Sequence, residues 1–171
     1  MFSYPFLCRQ LKRNGQMKNL ATVIISILTL ATCTAQSSSL IKKNPKGLFD
    51  PTSVCFVQTV SAPTNGKYLF VAGQVGSASD KESSFKDFRT QTRTVFKNLR
   101  IALKANNASP KDVVKQTVLI VDYNYDKLEI LKEEARKFYG DSFAASTLIP
   151  VPRLAIDGML IEIDVTAYIK N

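Results

Sequence analysis

No histidine occurs anywhere in the 171 residues, and there is no tryptophan. The first absence removes Ser-His-Asp and Cys-His catalysis, His-ligated zinc, and any mechanism that titrates an imidazole. Cysteine is scarce: Cys8 and Cys33 lie near the N-terminus, so a processed body keeps Cys55 alone or beside Cys33 and has no internal disulfide framework. Cys55 sits between Val54 and Phe56 in an apolar run, which reads as a small buried hydrophobe rather than a nucleophile. Also missing are a Walker loop, a G-x-G-x-x-G fingerprint, HExxH, CxxC and EF-hand spacing. Gly73-Gln74-Val75-Gly76 is too short to cradle a phosphate. No cofactor and no metal is implied.

Acids are absent before Gln36, where Arg9, Lys12, Arg13 and Lys18 all fall; the remainder carries 19 basic and 14 acidic residues, net +5. A mildly basic body with scattered cations predicts no nucleic-acid partner. From Met17, Lys18 forms a short positive segment before the uncharged, largely apolar run of 14 residues from Leu20 to Cys33. That run suits a signal-peptide core and falls short of the roughly 18 to 20 apolar residues that span a bilayer. Residues 1–35 therefore read as an N-terminal extension and signal peptide whose better start is Met17. Leu30-Ala31-Thr32-Cys33 is similar to a bacterial lipobox, with Cys33 as the lipidated residue; cleavage after Ala35 is the alternative. The expectation is export, periplasmic or attached to a bacterial membrane only through that lipid.

Residues 36–50, with Lys42, Lys43, Lys46, Pro45 and Gly47, read as a polar linker into a domain over 51–171. Val54 to Val60 is β-rich, Asn65-Gly66 is a strong hairpin signal, and Tyr68 to Ala72 gives a second strand stopping at Gly73. The pattern predicts a hairpin. Phe88, Thr92, Val95, Leu99 and Leu103 then recur at helical spacing, with Ser83 or Ser84 as N-cap and Asn106-Asn107 as the stop. Arg89, Arg93, Lys97 and Arg100 make a solvated opposite face. Ser109-Pro110-Lys111-Asp112 opens one short turn. Val113 to Val121 is a strand, buried on both faces over 118–121. A second helix runs from about Asp126 to Tyr139, with Leu128, Leu131, Ala135 and Phe138 inward. Thr147 to Val151, broken by Pro150 and Pro152, and Met159 to Tyr168 are strands separated by an Asp157-Gly158 turn. This order, β-β-α-β-α-β-β, makes an α+β domain whose helices cover one face of a sheet, and the bare face calls for an oligomer.

Ile161-Glu162-Ile163-Asp164-Val165 alternates, so Glu162 and Asp164 share a face. Alternation alone is most often a solvent face. Four stretches change that reading: Leu69-Phe70-Val71-Ala72-Gly73-Gln74; Gln91 through Asn98-Leu99 to Leu103; Asp112-Val113-Val114-Lys115-Gln116-Thr117-Val118 with Asp122; and Ile161-Glu162-Ile163-Asp164. Together they make residues 54 to 169 resemble the RidA (YjgF/YER057c/UK114) family. The resemblance implies a chorismate-mutase-like fold, a homotrimer with clefts between subunits, and hydrolysis of reactive enamines and imines to a carbonyl and ammonia. Glu162 matches the family's water-positioning Glu and is the catalytic candidate. The family's carboxylate-binding Arg falls on Ser146, its Ser on Ala72, its early Tyr on Phe56, and its frequent Cys on Leu148. Loss of an Arg–carboxylate contact costs roughly 1.5 to 3 kcal/mol, which points away from 2-imino acids. Ser146, Thr147 and Gln74 are left to hydrogen-bond a small neutral or polar ligand, with Arg153 as a possible substitute cation. The alternative is an exported trimeric module that binds a small ligand without turnover. Ribonuclease activity, attributed to some relatives, fits a chain without histidine poorly.

Overall fold

The computed structural model describes residues 39–76 and 87–171. The 1–35 leader with Cys33, and the expected caps Ser83 and Ser84, lie outside the described residues. The elements are β1 (Ile41–Lys43), β2 (Thr59–Ser61), β3 (Gly66–Val75), α1 (Phe88–Lys104), β4 (Val113–Val121), α2 (Tyr125–Tyr139), β5 (Ala145–Val151) and β6 (Ile161–Lys170). A four-stranded sheet runs β3-β6-β4-β5, with β4 and β5 parallel and the other pairs antiparallel. α2 makes the crossover that a parallel pair requires. The α+β reading, with both helices on one face of a mixed sheet, holds.

Each helix is set by its ends and its stripe. The cap of α1 is Asp87 and not the expected Ser83 or Ser84: its carboxylate accepts from Thr90 N at 3.0 Å. Phe88, Thr92, Val95, Leu99 and Leu103 are all buried, as their spacing predicts. Past the helix end Asn107 turns left-handed at φ 57, a conformation Asn tolerates. At the Ser109–Asp112 3₁₀ turn the Asp112 carboxylate accepts from both Ser109 N and Ser109 Oγ at 2.8 Å. Asn124 caps α2 through Lys127 N, and Leu131, Ala135 and Phe138 face inward. Arg89 and Arg93 are not merely solvated: they reach across to Glu133 and Glu134 of α2.

Strand alternation separates the two faces. Val113, Gln116, Val118, Ile120, Ile161, Ile163 and Val165 are buried toward the helices. Thr117, Leu119, Glu162, Asp164 and Thr166 lie on the other face. At one end of that second face Val121, Leu154 and Met159 cluster with Leu119 and Val75. The continuous 118–121 run is thus buried by helices on one side and by the loop after β5 on the other.

Three strand expectations are corrected. Residues 54–60 do not form a hairpin with β3. Thr52–Val54 is a 3₁₀ turn, Cys55 is left-handed at φ 64, and β2 pairs with β1 instead. Gly66 serves a close approach, since a Cβ there would lie 2.4 Å from the Tyr168 hydroxyl. β3 therefore pairs along its whole length with β6, from Gly66↔Lys170 to Val75↔Glu162. It does not stop at Gly73 but passes through a bulge between Val71 and Gln74. Pro150 does not break β5, because an edge strand tolerates a missing N–H. Within the polar segment 36–50, β1 docks: Lys42 Nζ donates to Ser142 O at 2.8 Å and Ser142 Oγ at 2.9 Å.

Candidate functional site

Glu162 stands on β6 opposite Val75 of β3 and Leu119 of β4. It is half-buried on the face the helices leave open. Two apolar cross-strand neighbours and a bare stretch of backbone surround its carboxylate. The bare stretch is Gly73, at the β3 bulge: a Cβ there would sit 1.8 Å from Glu162 Oε1 and 2.7 Å from Cδ. Only glycine leaves that space. Gln74 folds its amide back onto Ala72 O at 3.1 Å, which holds the bulge beside the carboxylate. Among the described residues Glu162 has no hydrogen-bond or ion-pair partner. Its oxygens are therefore available to a water or a ligand.

Ser146, expected from the resemblance to stand at the family's Arg position, lies elsewhere. Ser146 on β5 is in register with Gln116 on β4, and Gln116 with buried Val165 on β6, so Ser146 faces the helices. There it lines a cavity of about 270 Å³ with Phe56, Gln116, Leu131, Leu148 and, from the chain after β4, Tyr123. Lys132 also lines it, but both Glu129 oxygens accept from its Nζ at 2.8 and 2.9 Å. Buried Cys55 borders the same space and donates weakly to Lys132 O at 3.5 Å. Burial pushes its thiol up despite the pull of Arg136, so it is an inert wall and not a thiolate.

The remaining candidates separate. Thr147, one residue from Ser146, lies on the open face, where Lys115 Nζ donates to its hydroxyl. Arg153 lies in the loop after β5, largely exposed, 3.6 Å from Asp157. Within one chain, then, Phe56 and Ser146 share the cavity, Ala72 and Gln74 adjoin Gly73 in the bulge that approaches Glu162, and Thr147 and Arg153 join neither group. Sequence reasoning missed Gly73, Gln116 and Tyr139. Gln116 could have been found as a polar residue at an inward position of an otherwise apolar strand face. Among the described residues no group of three or more Cys, Asp or Glu side chains could hold a metal ion.

A family model described as Endoribonuclease L-PSP matches residues 51–169. The chain belongs to the RidA family. A RutC family protein of Pyrococcus horikoshii is 36% identical over 104 residues, 60% of this chain and 80% of that one. The crystal structure of a conserved Rid family protein, YyfB of Yersinia pestis, superposes with a TM-score of 0.71 at 30% identity, covering 76% of this chain and 98% of that one. RidA of an Antarctic Psychrobacter shares the fold, with a TM-score of 0.55 at 24% identity over 74% of this chain and 94% of its own.

Proposed function

We propose that this RidA-family chain hydrolyses an imine that carries no carboxylate, with Glu162 positioning and deprotonating water. The observation that carries the reading is the unpartnered Glu162 carboxylate, seated against the bare backbone of Gly73. A protonated imine is already electrophilic. Water held by Glu162 attacks its carbon while Glu162 accepts the water's proton, giving a carbinolamine. Glu162 then returns that proton to the nitrogen; as the C–N bond breaks the freed carboxylate takes the hydroxyl proton, so the carbonyl forms, and that proton finally leaves with ammonia as ammonium. The acid and base steps thus share one carboxylate and need no imidazole.

Three further elements belong to the same proposal. The chain acts as a homotrimer, as the family resemblance implies, and exposed Phe70, Tyr68 and Ile149 on the open face support its burial against another copy. The site is completed by a second copy, because one chain keeps Glu162 and the Ser146 cavity on opposite faces of its sheet. The protein works outside the cytoplasm, supported by the leader read from residues 1–35. Imines generated in situ by amine and amino-acid oxidases test the reading through ammonia release: imines without a carboxylate turn over, 2-imino acids do not, and Glu162→Gln abolishes the rate. Rates equal to buffer for both classes would overturn it. That result would favour the second reading, a trimeric binding module without turnover, whose own support is the uncharged Ser146 at the clamp position.

A further inference from the structure

The polar groups of the helix-side cavity form a directional relay. The Tyr139 hydroxyl donates to Gln116 Oε1 at 2.8 Å, and Gln116 Nε2 donates to Ser146 Oγ at 3.0 Å. Tyr139 and Gln116 are 3% and 5% exposed, and burial pushes the Tyr139 phenol up, so it stays a donor. With its acceptor side occupied, the half-buried Ser146 hydroxyl has its own proton left for the cavity. Most of the other walls are apolar, Phe56, Leu128, Leu131 and Leu148 among them. The lining ammonium, Lys132, is already neutralised by Glu129. A carboxylate entering this space would lose its hydration with no free cation among the described lining residues, whereas an uncharged acceptor would meet one aimed donor.

We propose that this cavity binds a small uncharged carbonyl compound, and that Gln116 is the residue that sets this specificity by turning the Ser146 hydroxyl into the cavity. At about 270 Å³ the space is near the small end of ligand pockets. The inference extends the reading of a substrate without a carboxylate, and its test measures binding without turnover, so either can fail alone.

Benzamide and benzoate share a shape and differ in charge, which makes them suitable probes. In calorimetric or NMR titrations of the folded chain at pH 7, benzamide is expected to bind at least tenfold tighter than benzoate. Ser146→Ala should weaken benzamide about tenfold. Gln116→Glu should do the same, because a carboxylate there would draw the Ser146 proton away from the cavity. Thr147→Ala, on the opposite face, should change nothing. Should Gln116→Glu fail to fold, Ser146→Ala carries the test. Absence of benzamide binding, equal or tighter binding of benzoate, or unchanged affinity in Ser146→Ala would each overturn the proposal. Unchanged affinity in a folded Gln116→Glu would overturn the role given to Gln116.

Discussion

The two faces of the central sheet use the same strands for different purposes. On the helix side, Val118, Ile120, Ile161, Ile163 and Val165 pack with Val95, Leu99 and Phe138 into one core. On the other side the same β6 presents Glu162, Asp164 and Thr166, and β3 leaves Phe70 78% exposed. Period-two alternation lets one strand do both, so stability and chemistry are written at adjacent positions without sharing side chains. The lesson is separability: substitutions at the buried apolar positions of the helix face should move the melting temperature, and those beside Glu162 should move turnover.

The largest effect that would break this separation belongs to the helix face. Leu99→Ala empties a fully buried position and should cost about 2 to 5 kcal/mol, read by chemical denaturation. At temperatures where that variant is still folded, its ammonia-release rate should match wild type.

Gly73→Ala sharpens the comparison from the open side. Its Cβ would occupy the place of Glu162 Oε1, yet Gly73 is exposed and not left-handed. Turnover should fall about a hundredfold or more, the range of one misplaced acid–base group, with a melting temperature close to wild type. A large drop in stability together with intact turnover would contradict the division of labour.

Glu134 is a smaller test, of how the helices hold together. It is buried between Arg93 at 3.0 Å and Lys137 at 2.9 Å. Burial works to push its carboxyl up, but Lys137 and Arg93 together hold it below its ordinary value of 4.5. A depressed carboxylate stabilises the fold above its unfolded value, and that contribution is lost as pH falls through the lower folded value. Glu134→Gln should therefore cost about 1 to 2 kcal/mol at neutral pH, allowing for the exposed partners. Its stability should also depend less on pH between about 5 and 3, as melting curves across that range would show. The smallest effect is Asn107→Gly, which relieves a left-handed backbone at φ 57 and should stabilise by under about 1 kcal/mol.

Much of this architecture was legible before any coordinates. The α1 stripe, the Ser109–Asp112 turn, the α2 stop and the Glu162/Asp164 face follow from local periodicity and capping, which sequence carries directly. Local signals misled where tertiary pairing overrode them. Asn65-Gly66 looked like a hairpin turn because dipeptide chemistry cannot reveal that Gly66 lies against Tyr168. Gly73 looked like a strand end because its reason for being glycine is a carboxylate 89 positions away. The division of the candidate site was equally hidden. Ser146 and Glu162 are both candidate site residues in the sequence, yet only the register of β4 against β5 and β6 shows that they face opposite sides of one chain's sheet.

The most direct test of the account is a paired measurement on Glu162→Gln: its melting curve and its rate of ammonia release from an imine without a carboxylate, generated in situ. Glu162 has no partner to lose among the described residues, so the curve should superpose on wild type while the rate falls to that of buffer. A variant that keeps wild-type turnover would contradict the account at its centre.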